Sequence, residues 1–168
     1  NSIGIAVGDA DGDGTSEIFL LEDVRVNVFR FDNQNNLIPV DEYEIGFSLQ
    51  NLNINLFDTN GDGSKELVVS AMDKSSKPRS YILGFEDEKL HLVQKQIRLF
   101  LSVVRVPPHF EPTLLASKTN RDNFLSKGVY EVIKSGGEYE ISKELPLPPE
   151  ANVFNFCYLP TPEGYKII

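Results

Sequence analysis

Apolar residues alternate with polar or small ones along most of this chain, as in Ile3, Ile5 and Val7, in Leu52, Ile54 and Leu56, and in Val24, Val26 and Val28. A period of two is the signature of a strand with one covered face. Several such runs come in pairs. Val24 to Phe31 alternates, turns at Asp32 to Asn36 and returns through Leu37 to Val40. Tyr81 to Phe85 turns at Glu86 to Glu88 and returns through Leu90 to Val93, and Gly128 to Ile133 turns at Ser135 to Gly137 and returns through Tyr139 to Ile141. Alternating runs joined by short polar or glycine-containing turns predict hairpins. No window supports a long amphipathic helix. Gln94 to Leu101 comes nearest and reads as strand end, turn and new strand. The predicted class is all-β.

The pattern also repeats. Apolar residues stand two, four and six positions before Asp9 and before Asp58, with an apolar run following each acidic stretch. The same frame finds Leu99, Leu101 and Val103 before Arg105 and Leu114, Leu115 and Ala116 after it. Around Tyr158 it finds Phe154 and Phe156 before and Ile167 and Ile168 after, with Asn152 breaking the outermost position. The anchors Asp9, Asp58, Arg105 and Tyr158 lie 49, 47 and 53 residues apart. A period near fifty belongs to propeller blades and related arrays. Each repeat carries two hairpins, four strands in all, which is one blade. The expected architecture is therefore a β-propeller of four-stranded blades, with repeats at about 1–49, 50–96 and 97–149 and the opening of a fourth at 150–168. A closed ring needs about 4–8 blades, so further blades are expected from the same or another chain. With no initiating Met and strand-like sequence at both ends, the chain reads as a segment of a larger propeller.

Candidate chemistry sits in two loops of one design. Asp9-Ala10-Asp11-Gly12-Asp13-Gly14-Thr15-Ser16-Glu17 returns as Asp58-Thr59-Asn60-Gly61-Asp62-Gly63-Ser64-Lys65-Glu66. Oxygen-bearing side chains stand at positions 1, 3, 5 and 9, and glycines at 4 and 6. Calcium takes about 6–8 oxygen ligands, largely carboxylates and carbonyls. The expected ligands of two calcium ions are Asp9, Asp11, Asp13 and Glu17 with the Thr15 carbonyl, and Asp58, Asn60, Asp62 and Glu66 with the Ser64 carbonyl. An EF-hand opens with similar letters but needs a glutamate at position 12 and flanking helices. Here position 12 is Leu20 or Val69, and the flanks alternate like strands. Plain acidic turns that bind nothing are the competing reading, since Asp-Gly is common turn chemistry; two copies in one register argue against it.

Charge changes the picture little. The formal charge of −9 argues against nucleic-acid or anionic-membrane partners. Seven of the acids lie in the two loops, where two calcium ions would offset four charges. Cys157, the sole cysteine, excludes a disulfide framework and reads as a buried inert thiol. No apolar run approaches the roughly 20 residues that span a bilayer. The third and fourth frames place Arg105, Pro107, His109 and Thr113, and Tyr158, Pro160, Pro162 and Lys166, at the ligand positions, and neither set suits calcium. Arg105 reads either as a fixed positive charge in place of a metal or as an edge-facing arginine, and His91 and His109 lack partners at metal-ligand spacing.

The two acidic loops, each inside a blade-length repeat, resemble the FG-GAP/VCBS repeats found in integrin alpha-chain propellers and in many bacterial surface and exported proteins. DGDG and NGDG followed by Glu-Ile and Glu-Leu look closest to the bacterial VCBS type. The third repeat is similar in Pro112 to Leu115, Gly128 to Glu131 and Leu145 to Pro148. The resemblance implies a propeller, extracytoplasmic calcium and a structural or adhesion-type interaction role with a protein or cell-surface partner. The integrin-type loop usually carries aspartate at position 9, whereas this chain has Glu17 and Glu66.

An enzyme is the rival class, with a carbohydrate binder between the two. No Ser-His-Asp spacing, cysteine–histidine neighbourhood or phosphate-binding glycine loop stands out, and tryptophan, the favoured sugar platform, is absent. The chain is expected not to be an enzyme; a polysaccharide-acting hydrolase or lyase on a propeller is the alternative. The surface loops Ala71 to Ser80, with Lys74, Lys77 and Arg79, and Ser117 to Lys127, with Asn120, Arg121 and Asp122, are the candidate contact regions.

Overall fold

The computed structural model describes residues 1–119 and 125–168, so Asn120, Arg121 and Asp122 of the second candidate loop lie outside the described residues. The described residues contain no helix. Sheet I comprises β1 (Ser2–Gly8), β2 (Glu17–Glu22), β3 (Arg25–Phe31) and β4 (Leu37–Glu44). Sheet II comprises β5 (Leu49–Phe57), β6 (Glu66–Asp73), β7 (Ser80–Glu86) and β8 (Lys89–Ile97). Sheet III comprises β9 (Phe100–Val106), β10 (Glu111–Ser117), β11 (Tyr130–Ser135) and β12 (Glu138–Glu144), and sheet IV pairs β13 (Tyr158–Thr161) with β14 (Gly164–Ile167). Every strand pairs antiparallel with its sequence neighbour. The predicted hairpins after Val24, Tyr81 and Gly128 are all present, and Gln94 to Leu101 is strand end, turn and new strand.

The sheets stack in chain order. β1 lies against β5 and β5 against β9, while β4 meets β8 at the outer end. Alternation gives each sheet two apolar faces, and three apolar layers form between the four sheets. Phe19, Leu21, Val26 and Val28 of sheet I meet Ile54, Leu67, Val69, Leu83 and Phe85 of sheet II. Val68 and Ile82, on the other face of sheet II, meet Leu101 and Leu114 of sheet III. Phe100 and Leu115 then meet Val153 and Tyr158.

Polar side chains inside these layers are spent on backbone groups of the adjacent sheet. Ser70 Oγ donates to the Leu101 carbonyl at 2.7 Å and accepts the Leu101 N–H at 2.6 Å. Ser80 Oγ donates to the Leu99 carbonyl at 2.6 Å, and Asn55 Oδ1 accepts the Val103 N–H at 3.1 Å. Asn51 donates to the Glu22 carbonyl at 2.9 Å while accepting from the Tyr81 hydroxyl at 2.9 Å. Buried polar groups cost stability unless paired, so these residues tie each sheet to one neighbour in one register.

At the outer rim, Asp41 of β4 accepts the Leu90 N–H of β8 at 2.7 Å and pairs with Lys89 at 3.2 Å. Partial burial opposes its charge, but the Leu90 and Lys89 contacts outweigh that and hold its pKa below the usual carboxylate value. A carboxylate depressed in the folded state contributes stability above its unfolded pKa of about 3.9 and loses it as pH falls through the folded value. Asp41→Ala leaves the Leu90 N–H without its acceptor and should cost about 1–3 kcal/mol at pH 7. The difference from wild type should shrink on acidification below about pH 4 in denaturant titrations; a gap unchanged at pH 3 would contradict the assignment.

The third frame has no calcium loop, as read: Arg105 pairs with Pro112 and Thr113 with Val104 inside the β9–β10 ladder, leaving a short turn at Pro107 to Phe110 that includes His109. The Arg105 guanidinium donates to the Phe110 carbonyl at 3.0 Å, closing that turn. Two sequence expectations are corrected. In the fourth frame the leading strand is not at Phe154 and Phe156, which lie outside the strands, because the first strand begins at Tyr158. Tyr158 and Pro160 are in β13, Lys166 is in β14, and Pro162 lies in the turn between them. Cys157 is exposed, since it sits just ahead of β13 and its N–H and carbonyl, not its thiol, are engaged, both with Ile168.

Candidate metal centre

Each acidic loop joins the first two strands of its sheet, and the loop sequence folds itself. Asp9 accepts the N–H groups of Gly12 at 2.7 Å and Gly14 at 2.9 Å, one on each carboxylate oxygen. Asp58 does the same for Gly61 at 2.6 Å and Gly63 at 2.9 Å. That closure puts Gly12 and Gly14 at φ 77° and 85°, and Gly61 and Gly63 at 79° and 93°, a left-handed region open to glycine at little cost. Asp13 accepts the Thr15 N–H at 2.7 Å and Asp62 the Ser64 N–H at 2.8 Å. Asp11 and Asn60 likewise accept from Asp13 at 3.3 Å and Asp62 at 2.9 Å. Side chains at positions 1, 3 and 5 therefore turn toward the loop's own interior.

Position 9 closes the ring from the strand. Glu17 is fully buried and Glu66 is 8% exposed. Glu17 Oε2 accepts the Ala10 N–H at 3.0 Å, and Glu66 Oε2 accepts the Thr59 N–H at 2.8 Å and its hydroxyl at 2.7 Å. The extra methylene over aspartate is used for this: one oxygen anchors position 2 while the other faces the loop interior. The Lys65 N–H donates to the Ala10 carbonyl at 3.2 Å, which sets the two loops side by side.

The loops differ in what meets the inward oxygens. In the first, Arg30 of β3 enters: Nη2 lies 2.7 Å from Asp11 Oδ2 and 3.2 Å from Asp13 Oδ2, and Nε lies 2.8 Å from Glu17 Oε1. Burial pushes the Glu17 carboxyl upward in pKa, and the Ala10 and Arg30 hydrogen bonds offset that only in part. Burial also works against the Arg30 charge, but the Glu17 hydrogen bond and the surrounding acids outweigh it and raise its pKa further. In the second loop the Asn60 amide donates to Asp62 at 2.9 Å and Glu66 at 3.4 Å. Asp58 is held below the usual carboxylate range, chiefly by the Gly63 N–H.

The oxygen set of the first loop fits a hard divalent cation. Asp9, Asp11 and Glu17 each bring a carboxylate oxygen within 4.8 Å of the others, and both loops offer oxygen donors with no sulfur or imidazole, the preference of calcium. Thr15 and Ser64 are placed by their N–H bonds at the exit of each loop. Sequence reasoning did not find Arg30. Arg30 stands across the ladder from Glu17, a relation carried by strand register and not by linear spacing.

The remaining candidate groups are quieter. Arg79 of the Ala71 to Ser80 hairpin pairs with Asp73 at 3.1 Å, and Asp73 accepts the N–H groups of Ser75 at 2.9 Å and Lys77 at 3.0 Å. A cavity of about 730 Å³ lies between β5, β9 and the segment before β13. Its polar lining is largely self-satisfied, with Asn53 donating to both Asn55 and Ser102 at 3.2 Å. No described helix is long and apolar enough to cross a membrane.

Comparison with known families agrees with the repeated loop. The model of the FG-GAP-like repeat matches residues 3–69, a span that runs from β1 into β6 and contains both acidic loops. No curated protein matches the chain.

Proposed function

We propose that this chain is a segment of an FG-GAP-type β-propeller in which calcium staples the acidic loops, and that it serves outside the cytoplasm as a non-catalytic scaffold for protein or cell-surface interaction. The observation that carries the reading is one oxygen-rich loop design repeated in two adjacent loops within the span matching the FG-GAP-like repeat, with Asp9, Asp11 and Glu17 converging in the first. Repeats of this kind build propeller-type interaction modules, and the chain-order stacking of Sheets I to IV supports counting them as three blades and part of a fourth. Calcium in such a loop supplies charge neutralisation and a fixed coordination sphere. Asp9 and Asp58 hold the turn, Asp11, Asp13, Asn60 and Asp62 line it, and Glu17 and Glu66 join it to β2 and β6.

Further blades, from the same or another chain, are part of the proposal. The outward face of sheet I is built like an interface. Ile5, Val7, Ile18 and Leu20 correspond to Ile54, Leu56, Leu67 and Val69, the face by which sheet II packs on sheet I. Yet Ile5 is 61% exposed and Ile54 only 2%.

Calcium should raise the melting temperature of the chain over that in EDTA. Extracellular modules bind at about 10⁻⁴–10⁻³ M, and tenfold excess over Kd contributes about 1.4 kcal/mol per site. Magnesium should substitute poorly, because it demands a tighter octahedral shell. Identical melting curves in EDTA and in excess calcium would refute the staple.

A further inference from the structure

The two loops are not equivalent, and the difference lies on the third strand of each sheet. Ile18 pairs with Phe29 in sheet I and Leu67 with Leu83 in sheet II. One step further, opposite Glu17 and Glu66, stand Arg30 and Gly84. Gly84 has no side chain, and the imidazole of His91 occupies the space where a Cβ would grow. Among the described residues, no ion pair reaches Asp58, Asp62 or Glu66, and the neighbouring Lys65 makes none. The side chains that meet the second set of acids, the Asn60 amide and the Thr59 hydroxyl, are neutral.

We propose that Arg30 is a built-in cation that closes the first loop without metal, so that a divalent ion must displace its guanidinium to enter there, while the second loop admits the ion directly. This inference rests on the calcium reading given above. Arg30 occupies Asp11 Oδ2 and Glu17 Oε1, two of the oxygens an ion would need. Two cations a few ångströms apart repel strongly in a partly buried site. The guanidinium is also held from sheet II, 5.6 Å from the Phe85 ring centroid and 3.2 Å from Glu88, so that moving it disturbs the contact between sheets. By ligand charge alone the first loop, with four carboxylates against three and an amide, would be the tighter site. Arg30 reverses that order.

Calorimetric titration of the full chain with calcium chloride tests this, with Asp62→Asn used to weaken the second loop. In the wild type the tighter site should be lost with Asp62→Asn. In the Asp62→Asn background, Arg30→Gln should then tighten the first loop by about tenfold or more, because the competing charge is gone. Melting gives a second readout. Arg30→Gln should lower the melting temperature in EDTA and recover it in calcium, whereas lost packing on Phe85 alone would lower it equally in both. Should Arg30→Gln fold poorly, Arg30→Lys keeps a charge but loses the fork spanning Glu17 and Asp11, and should give an intermediate gain in affinity. First-loop affinity unchanged by both Arg30 substitutions would overturn the proposal. The calcium reading itself fails on a different result, a wild type whose second loop takes up no calcium.

Discussion

Replacing Glu17 by alanine is expected to destabilise the protein by about 3–5 kcal/mol, the range for removing one partner of a buried ion pair. Glu17 is fully buried, and two groups depend on it: the Ala10 N–H at 3.0 Å and Arg30 Nε at 2.8 Å. Alanine leaves the first without an acceptor and takes from a mostly buried guanidinium its one fully buried partner, with Asp11, Asp13 and the exposed Glu88 remaining. Glu66→Ala is the internal comparison. Its partners, Thr59 and Asn60, are neutral, so the loss should be about 1–3 kcal/mol, that of unsatisfied donors without a stranded charge. Glu17→Gln keeps one oxygen and should fall between the two alanine variants. Urea titrations in EDTA measure all three free of metal linkage. A Glu17→Ala cost no larger than that of Glu66→Ala would show that Arg30 is not carried by Glu17.

Phe19→Ala should cost a similar amount, about 3–5 kcal/mol, through the cavity it opens between sheets I and II. Phe19 is fully buried, and its ring meets Phe85 edge to face at 5.7 Å. Ile5→Ala, on the opposite face of the same sheet, should stay within about 0.5 kcal/mol in this chain, as surface substitutions do. The pair also tests the proposed further blade. If one covers sheet I in the assembled propeller, Ile5→Ala there should cost about 2–5 kcal/mol, the range for buried isoleucine. An Ile5→Ala effect that stays small in a longer protein carrying the preceding sequence would leave that face without the expected cover.

Hairpins were legible because alternation and turn chemistry are local. Val24 to Val40 and Tyr81 to Val93 fold as read, since each strand meets its partner across a few residues. The acidic loops were legible for the same reason: Asp9, Asp13, Asp58 and Asp62 take N–H groups two to five residues on. The third frame placed sheet III correctly and without the loop: Leu101 and Val103 lie in β9 and Leu114 to Ala116 in β10, joined by a short turn with Arg105 opposite Pro112. Around Tyr158 the apolar residues were right and their register was not, because Phe154 and Phe156 precede the strand that they were expected to form.

From the sequence by itself came the all-β class, the hairpins, the repeated loop and its oxygen-bearing positions, all set by contacts within one supersecondary unit. Only the tertiary structure decided which face of each strand is covered. Ile5 and Ile54 occupy the same place in the repeat, yet one is exposed and the other buried, because burial depends on whether another sheet lies alongside. It decided also that Arg30 supplies a positive charge to the first acidic loop. Thirteen residues separate Arg30 from Glu17 along the chain, and a 2.8 Å contact between them exists only once β2 and β3 have paired.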